Sequence, residues 1–270
     1  MRVHLRKTGA MQAMLTAVAR GYHWHVSGQV PAEKAGALID KFTERYEIGL
    51  PWWTIARRRK AGQANARFFL HPSHNAPVFD WWLLLTDGEH PAREQERLKD
   101  ARERRQRLVF QTQFEAVRRP APGGQPRWTW RIAQEVYDEF AARIREAVRH
   151  RRDDRDLTAV ILAYHRLPGF RGVRNQVSAL RRLTLDEWRR VRGDKECALL
   201  PKAVQPFERF RAYHTVEWDL VRDRLLAGLT PFDKRWRQAA AKEPEEAMDG
   251  AEGGGGASGP LRDADPAIPG

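Results

Sequence analysis

The segment from Arg171 to Arg182 carries side chains that can recognise nucleic acid. Its polar residues recur at the spacing of one helical face, and Val173, Val177 and Leu180 recur on another. Arginine pairs with guanine or phosphate through two hydrogen bonds, and asparagine pairs in the same way with adenine. The sequence therefore predicts a helix over residues 172–183 that contacts DNA through Arg171, Arg174, Asn175, Ser178, Arg181 and Arg182.

The residues before this helix suit a DNA-binding arrangement. A predicted short helix, residues 157–165, and a turn at Pro168-Gly169 precede it, an order that loosely resembles a helix-turn-helix. The alternative is an ordinary amphipathic helix whose arginines face water, because such faces are common. Both interpretations bury the same apolar edge.

Two more clusters place arginine beside tryptophan. Arg57, Arg58, Arg59 and Lys60 follow Trp52-Trp53 in a predicted loop and are candidates for phosphate contacts. The alternation from Arg127 to Arg131 predicts a strand with Arg127, Thr129 and Arg131 on one face and Trp128 and Trp130 on the other. Packing of these tryptophans in the core is one interpretation. Stacking of unpaired bases on Trp52, Trp53 or Trp130 is the other, and it would indicate a single-stranded RNA-binding protein.

His23-Trp24-His25 is the strongest candidate for a metal site. On a strand the two imidazoles point the same way and can share a divalent ion. The spacing resembles the His-hydrophobic-His motif of HUH nucleases, which implies a metal-dependent DNA nickase with a helix-borne tyrosine such as Tyr137, Tyr164 or Tyr213. None of these tyrosines has that family's Tyr-x-x-Lys context, so the alternative is a pair of structural histidines beside a buried tryptophan. Without this motif, the sequence predicts no catalytic residue and no cofactor.

Charge indicates the kind of partner. The formal net charge is +13, from 48 basic and 35 acidic residues. Seven acids and one arginine give residues 243–270 a charge of −6, so the preceding 242 residues carry +19. Such an excess favours a polyanion, and nucleic acid is the commonest one. The acidic segment, rich in Gly and Pro, is predicted to be a disordered tail.

Composition also indicates the cellular compartment. A single cysteine, Cys197, excludes an intramolecular disulfide and a cysteine-rich zinc module. No stretch approaches the ~20 apolar residues of a membrane span. We expect a cytoplasmic protein that has no membrane partner.

The element pattern predicts an α+β protein. Residues 1–132 are expected to form a domain with a mixed or antiparallel sheet of four or five strands plus helices, including a helix at about 91–105 and hairpins at 66–86 and 108–132. Residues 133–242 are expected to form a helical basic domain. In it, Thr184-Leu185-Asp186-Glu187 has capping-box spacing and predicts a new helix, and another is expected at 205–227.

These observations favour a nucleic-acid-binding protein, with duplex DNA as the expected partner. Replication, transfer or regulation of a plasmid or other mobile element is a setting by analogy only. The oligomeric state is open.

Overall fold

The structure, a computed structural model, describes residues 1–73, 76–120, 124–150, 153–194, 196–201, 214–236 and 238. The predicted acidic tail, residues 243–270, lies outside the described residues. The strands are β1 (Arg2–His4), β2 (Trp24–Pro31), β3 (Ala66–Pro72), β4 (Val78–Leu85), β5 (Lys99–Asp100), β6 (Val109–Phe110), β7 (Phe114–Arg119), β8 (Arg127–Ile132) and β9 (Thr215–Glu217). The helices are α1 (Lys7–Ala19), α2 (Ala35–Tyr46), α3 (Trp52–Lys60), α4 (Ala92–Gln95), α5 (Gln134–Arg149), α6 (Arg155–His165), α7 (Arg171–Arg192) and α8 (Trp218–Leu226), with a 3-10 turn at Ala32–Lys34.

The strands form three antiparallel sheets. The largest has the order β3-β4-β2-β5, and the others are β6-β7-β8 and β1-β9. In β4, Trp82 to Leu85 are buried in succession, as expected for an inner strand covered on both faces. The hairpins β3-β4 and β7-β8 confirm the α+β prediction, because local antiparallel pairs rather than βαβ crossovers build the sheets.

A single hydrophobic cluster joins the two halves of the chain. Met11 of α1, Trp130 of β8, Ile144 of α5 and Val177 of α7 all belong to it. The indole N–H of Trp130 donates to the Met11 carbonyl at 2.9 Å, so this buried ring is satisfied by the backbone of α1. Met1–Phe232 forms one compact unit, and packing is continuous across the predicted domain boundary at residue 132.

Thr184 does not begin a new helix. α7 runs unbroken from Arg171 to Arg192, and the Thr184 hydroxyl donates to the Leu180 carbonyl one turn earlier at 2.9 Å. The prediction of a capping box was wrong because Thr184 is buried and its side chain bonds backward along the helix rather than forward to a free N–H.

Tertiary packing also changes three other predicted elements. Trp52-Trp53 opens α3 instead of lying in a loop, with Pro51 immediately before the first turn. The predicted helix at 91–105 is reduced to α4, followed by β5 on the edge of the large sheet. Within the predicted helix at 205–227, residues 205–213 lie outside the described residues, β9 occupies Thr215–Glu217 and α8 follows.

No helix in the described part of the chain is long and apolar enough to cross a membrane.

Candidate nucleic-acid interface

Five arginines line one cleft of about 860 Å³, which we call the basic cleft. It lies between the C-terminal half of α1, the β7-β8 hairpin and the first residue of α7. Its cationic residues are Arg20, Arg118, Arg119, Arg127 and Arg171, and its aromatic residues are His23, Trp128 and Phe170. Arg127 and Arg171 are 44 positions apart in sequence and were predicted as members of separate clusters.

The basic cleft has no acidic lining residue among the described parts of the chain. In the same described set, none of its five arginines has a carboxylate within 4.0 Å. Arginines held close together without counter-ions repel one another, and a bound polyanion relieves that repulsion. The arrangement therefore suits a ligand with several negative charges.

Trp128 forms one wall of the basic cleft. The Arg118 guanidinium lies 5.9 Å from its ring centroid, and the His23 ring lies 6.0 Å from it. Burial, and then the charge of Arg102, lowers the pKa of His23, so its imidazole is neutral at pH 7. Asp87 and Asp100 lie close enough to His23 to oppose this shift, but both are paired with Arg102. One guanidinium outside the cleft thus offsets part of their negative charge.

The start of α7 is docked tightly on β8. The Gly172 N–H donates to Thr129 Oγ1 at 3.1 Å, and a Cβ at Gly172 would overlap the Trp130 carbonyl oxygen. One turn later, the Gln176 side chain accepts from the Ile132 N–H at 2.7 Å and donates to the Ile132 carbonyl at 3.0 Å. These contacts hold Arg171 beside the strand that carries Arg127.

A second cavity, of about 590 Å³, continues the basic surface. It shares Ala19, Arg20 and His23 with the basic cleft and adds Trp52, Arg59 and Arg67. The Arg59 guanidinium donates to the Arg20 carbonyl at 3.3 Å, which joins α3 to the end of α1. We call the two cavities together the basic band. It brings one predicted arginine from each of the three clusters, Arg59, Arg127 and Arg171, onto one surface.

The predicted face of α7 is largely exposed. Arg171, Arg174, Asn175, Ser178 and Arg182 follow a single stripe, while Val173, Val177 and Leu180 are buried as predicted. Arg181 departs from the stripe: its guanidinium bonds His165 Nε2 at 3.1 Å and the Pro201 carbonyl at 2.9 Å. It is therefore held by the protein's own surface.

Two other predicted arginines are paired within the protein. Arg131 bonds Glu115 at 2.9 Å, and Arg107 shares that carboxylate. Arg58 pairs with Glu47. The remaining members of the α3 cluster, Arg57, Arg59 and Lys60, are exposed, and only Arg59 reaches the basic band.

The tryptophans divide by environment. Trp52 and Trp53 are 74% and 62% exposed at the start of α3, so they remain available for stacking. Trp130 is fully buried, which agrees with the core-packing interpretation and leaves its ring no access to a base. Trp128, the other tryptophan of the Arg127–Arg131 alternation, occupies the basic cleft.

The two candidate metal ligands have different surroundings. His23 precedes β2 and faces Trp128, whereas His25 is buried and its Nε2 lies 2.8 Å from the Gln106 carbonyl. Within the described ranges, no three His, Cys, Asp or Glu side chains are grouped as metal ligands. Of the candidate tyrosines, Tyr164 is buried beside Thr184, Tyr137 packs on the core, and Tyr213 lies outside the described residues.

His25 is expected to make the fold sensitive to acid. Burial lowers its pKa to about 4, while an unfolded histidine titrates near 6.5. Between these values the unfolded chain binds a proton that the folded chain does not, so stability falls as pH drops through this window, by about 3 kcal/mol. His25→Gln keeps a donor without the titration, and we expect its urea midpoints at pH 7 and pH 4.5 to differ less than those of the wild type. Exposed His150→Gln is the matched control, and an equal flattening there would contradict the assignment to His25.

Three of the five arginines of the basic cleft were absent from the predicted site: Arg20, Arg118 and Arg119. Arg118 and Arg119 form a basic pair at the end of a predicted strand, directly before a Pro- and Gly-containing loop. This pattern could have marked them as candidates for phosphate contacts. Arg20 carried none, because only the packing of α1 against β8 brings it to the cleft.

No protein family, no curated protein and no solved structure matches this chain.

Proposed function

We propose that this protein binds nucleic acid through the basic band, with duplex DNA as its principal partner. One observation carries the proposal: five arginines converge on one cleft whose described lining contains no carboxylate. Phosphate oxygens spaced along a backbone match such a row of guanidinium groups, each of which donates paired hydrogen bonds.

The position of α7 favours a duplex. The helix begins at Arg171 in the basic cleft, and its exposed stripe continues to Arg182. At about 1.5 Å per residue the stripe is roughly 16 Å long, and a major groove accepts a helix. Phosphates held in the cleft would therefore place Arg174, Asn175 and Ser178 against base edges. In this proposal the protein is a cytoplasmic binder without catalytic activity.

Salt dependence tests the proposal directly. We expect duplex DNA to bind with log Kd that rises linearly with log salt, at a slope of about 0.9 per phosphate contacted. Fluorescence anisotropy on duplex DNA, single-stranded DNA and RNA of equal length would measure this. Binding no tighter than that of an unrelated protein of equal net charge would remove the proposal.

A single strand is the second candidate ligand, because Trp128 and the exposed Trp52 line the basic band. Tighter binding of single-stranded DNA or RNA than of duplex, with quenched tryptophan emission, would support it.

A further inference from the structure

A separate cavity of about 750 Å³ lies at the other end of α1 and shares no lining residue with the basic band. We call it the polar cavity and define it by Lys7, Gln29, Asp80, Gln111, Thr112 and Gln113. Its residues come from the first turn of α1, from the paired strands β2 and β4, and from the turn between β6 and β7. None of these side chains has a role in the proposed nucleic-acid binding.

Asp80 is a buried carboxylate held by neutral partners. Only 8% of the residue is exposed. Gln29 Nε2 donates to one of its oxygens at 2.8 Å, and Gln111 Nε2 donates to the other at 2.9 Å. Two amides orient the carboxylate but leave its charge uncompensated. Each oxygen keeps a lone pair for a further donor.

Lys7 supplies the opposite charge to the same cavity. Its Nζ donates to Gln113 Oε1 at 2.7 Å and lies 4.7 Å from the centroid of the Phe114 ring. Burial lowers the pKa of Lys7 to about 8 even though Asp80 acts to raise it. Both residues are described, yet no ion pair within 4.0 Å joins them. An amine and a carboxylate thus face one cavity, each fixed by glutamine and neither neutralised by the other.

The turn between β6 and β7, which carries Gln111 and Gln113, is strained. Gln111 and Thr112 have φ of 48° and 57°, in the left-handed region that residues with a Cβ rarely adopt. A residue with a Cβ keeps this conformation only where the surrounding structure enforces it, often at ligand sites. Here the conformation directs the Gln111 amide to Asp80. The strained turn therefore orders one wall of the polar cavity.

We propose that the polar cavity binds a small zwitterion, such as a free α-amino acid, whose carboxylate meets Lys7 and whose ammonium group meets Asp80. A molecule with both charges neutralises Lys7 and the buried Asp80 at once, which a singly charged molecule cannot do. Lys7 stands in the first turn of α1, where the helix dipole adds to the attraction for an anionic group.

Isothermal titration calorimetry on the full chain tests the proposal. We expect at least one probe from a panel of free amino acids to bind saturably at millimolar concentration or below, while acetate and methylamine bind at least about 10-fold more weakly. Lys7→Met and Asp80→Asn should each weaken binding about 10-fold or more, because each removes one charge contact. Lys34→Met and Asp40→Asn remove the same charges at exposed positions and should leave it unchanged.

A chemical readout keeps the test informative if a cavity variant folds poorly. With formaldehyde and cyanoborohydride at pH 7, Lys7 of the wild-type protein should be methylated early among the nine lysines, and the bound amino acid should protect it. Lack of saturable binding by every amino acid, equal binding of acetate or methylamine, or tighter binding of guanosine would overturn the proposal.

Discussion

Replacing Arg118, Arg127 and Arg171 together with alanine is expected to weaken DNA binding by about 10²–10³-fold near 0.1 M salt. The three side chains come from β7, β8 and α7 and meet only in the basic cleft. Each is exposed, and none is in an ion pair with a described carboxylate, so the loss should fall on binding rather than on the fold. If each contacts one phosphate, the slope of log Kd against log salt should decrease by about 3.

A matched variant separates this cleft from net charge. Arg45, Arg105 and Arg143 are exposed and lie outside the basic band, so their triple alanine variant has the same formal charge of +10. We expect its affinity to remain within a few-fold of the wild type in the same anisotropy titration. Equal losses in the two variants would show that diffuse charge, and not the cleft, holds the nucleic acid.

Gly172→Ala is expected to destabilise the protein by about 3 kcal/mol, although alanine ordinarily stabilises a helix by about 1 kcal/mol relative to glycine. The new Cβ would overlap the Trp130 carbonyl oxygen, which belongs to a strand and cannot move as a flexible side chain does. To accept the methyl group, α7 must shift away from β8 and weaken the hydrogen bond from Gly172 to Thr129.

Urea denaturation followed by circular dichroism measures this change. Ser178→Ala lies on the exposed stripe of the same helix and should change the free energy of unfolding by no more than about 0.5 kcal/mol. Because the shift also moves Arg171 relative to Arg127, folded Gly172→Ala should bind DNA more weakly than the wild type. A variant as stable as the wild type would mean that α7 does not rest on β8 as described.

Much of the secondary structure follows from local pattern. The apolar residues of α1 recur on one helical face, and that face packs against the core because only there can they be removed from water. They are Met11, Met14, Leu15 and Val18, and all four are buried. The apolar run in β4 is buried on both faces, because neither face of that strand carries polar side chains over Trp82 to Leu85. Where the prediction was wrong, as at Thr184, the side chain had two possible hydrogen-bond partners, and burial selected the one that local spacing did not favour.

The amino-acid sequence alone determined that this is a strongly basic α+β protein with arginine concentrated beside tryptophan and on α7. Only the tertiary structure decided which arginines act together. Arg58, Arg131 and Arg181 are held by groups of the protein itself, whereas Arg20, Arg118 and Arg119 join Arg127 and Arg171 in one cleft. The physical reason is that charge is a property of composition, while its convergence depends on close packing. Here, that packing is the contact of Gly172 with Trp130, between residues 42 positions apart.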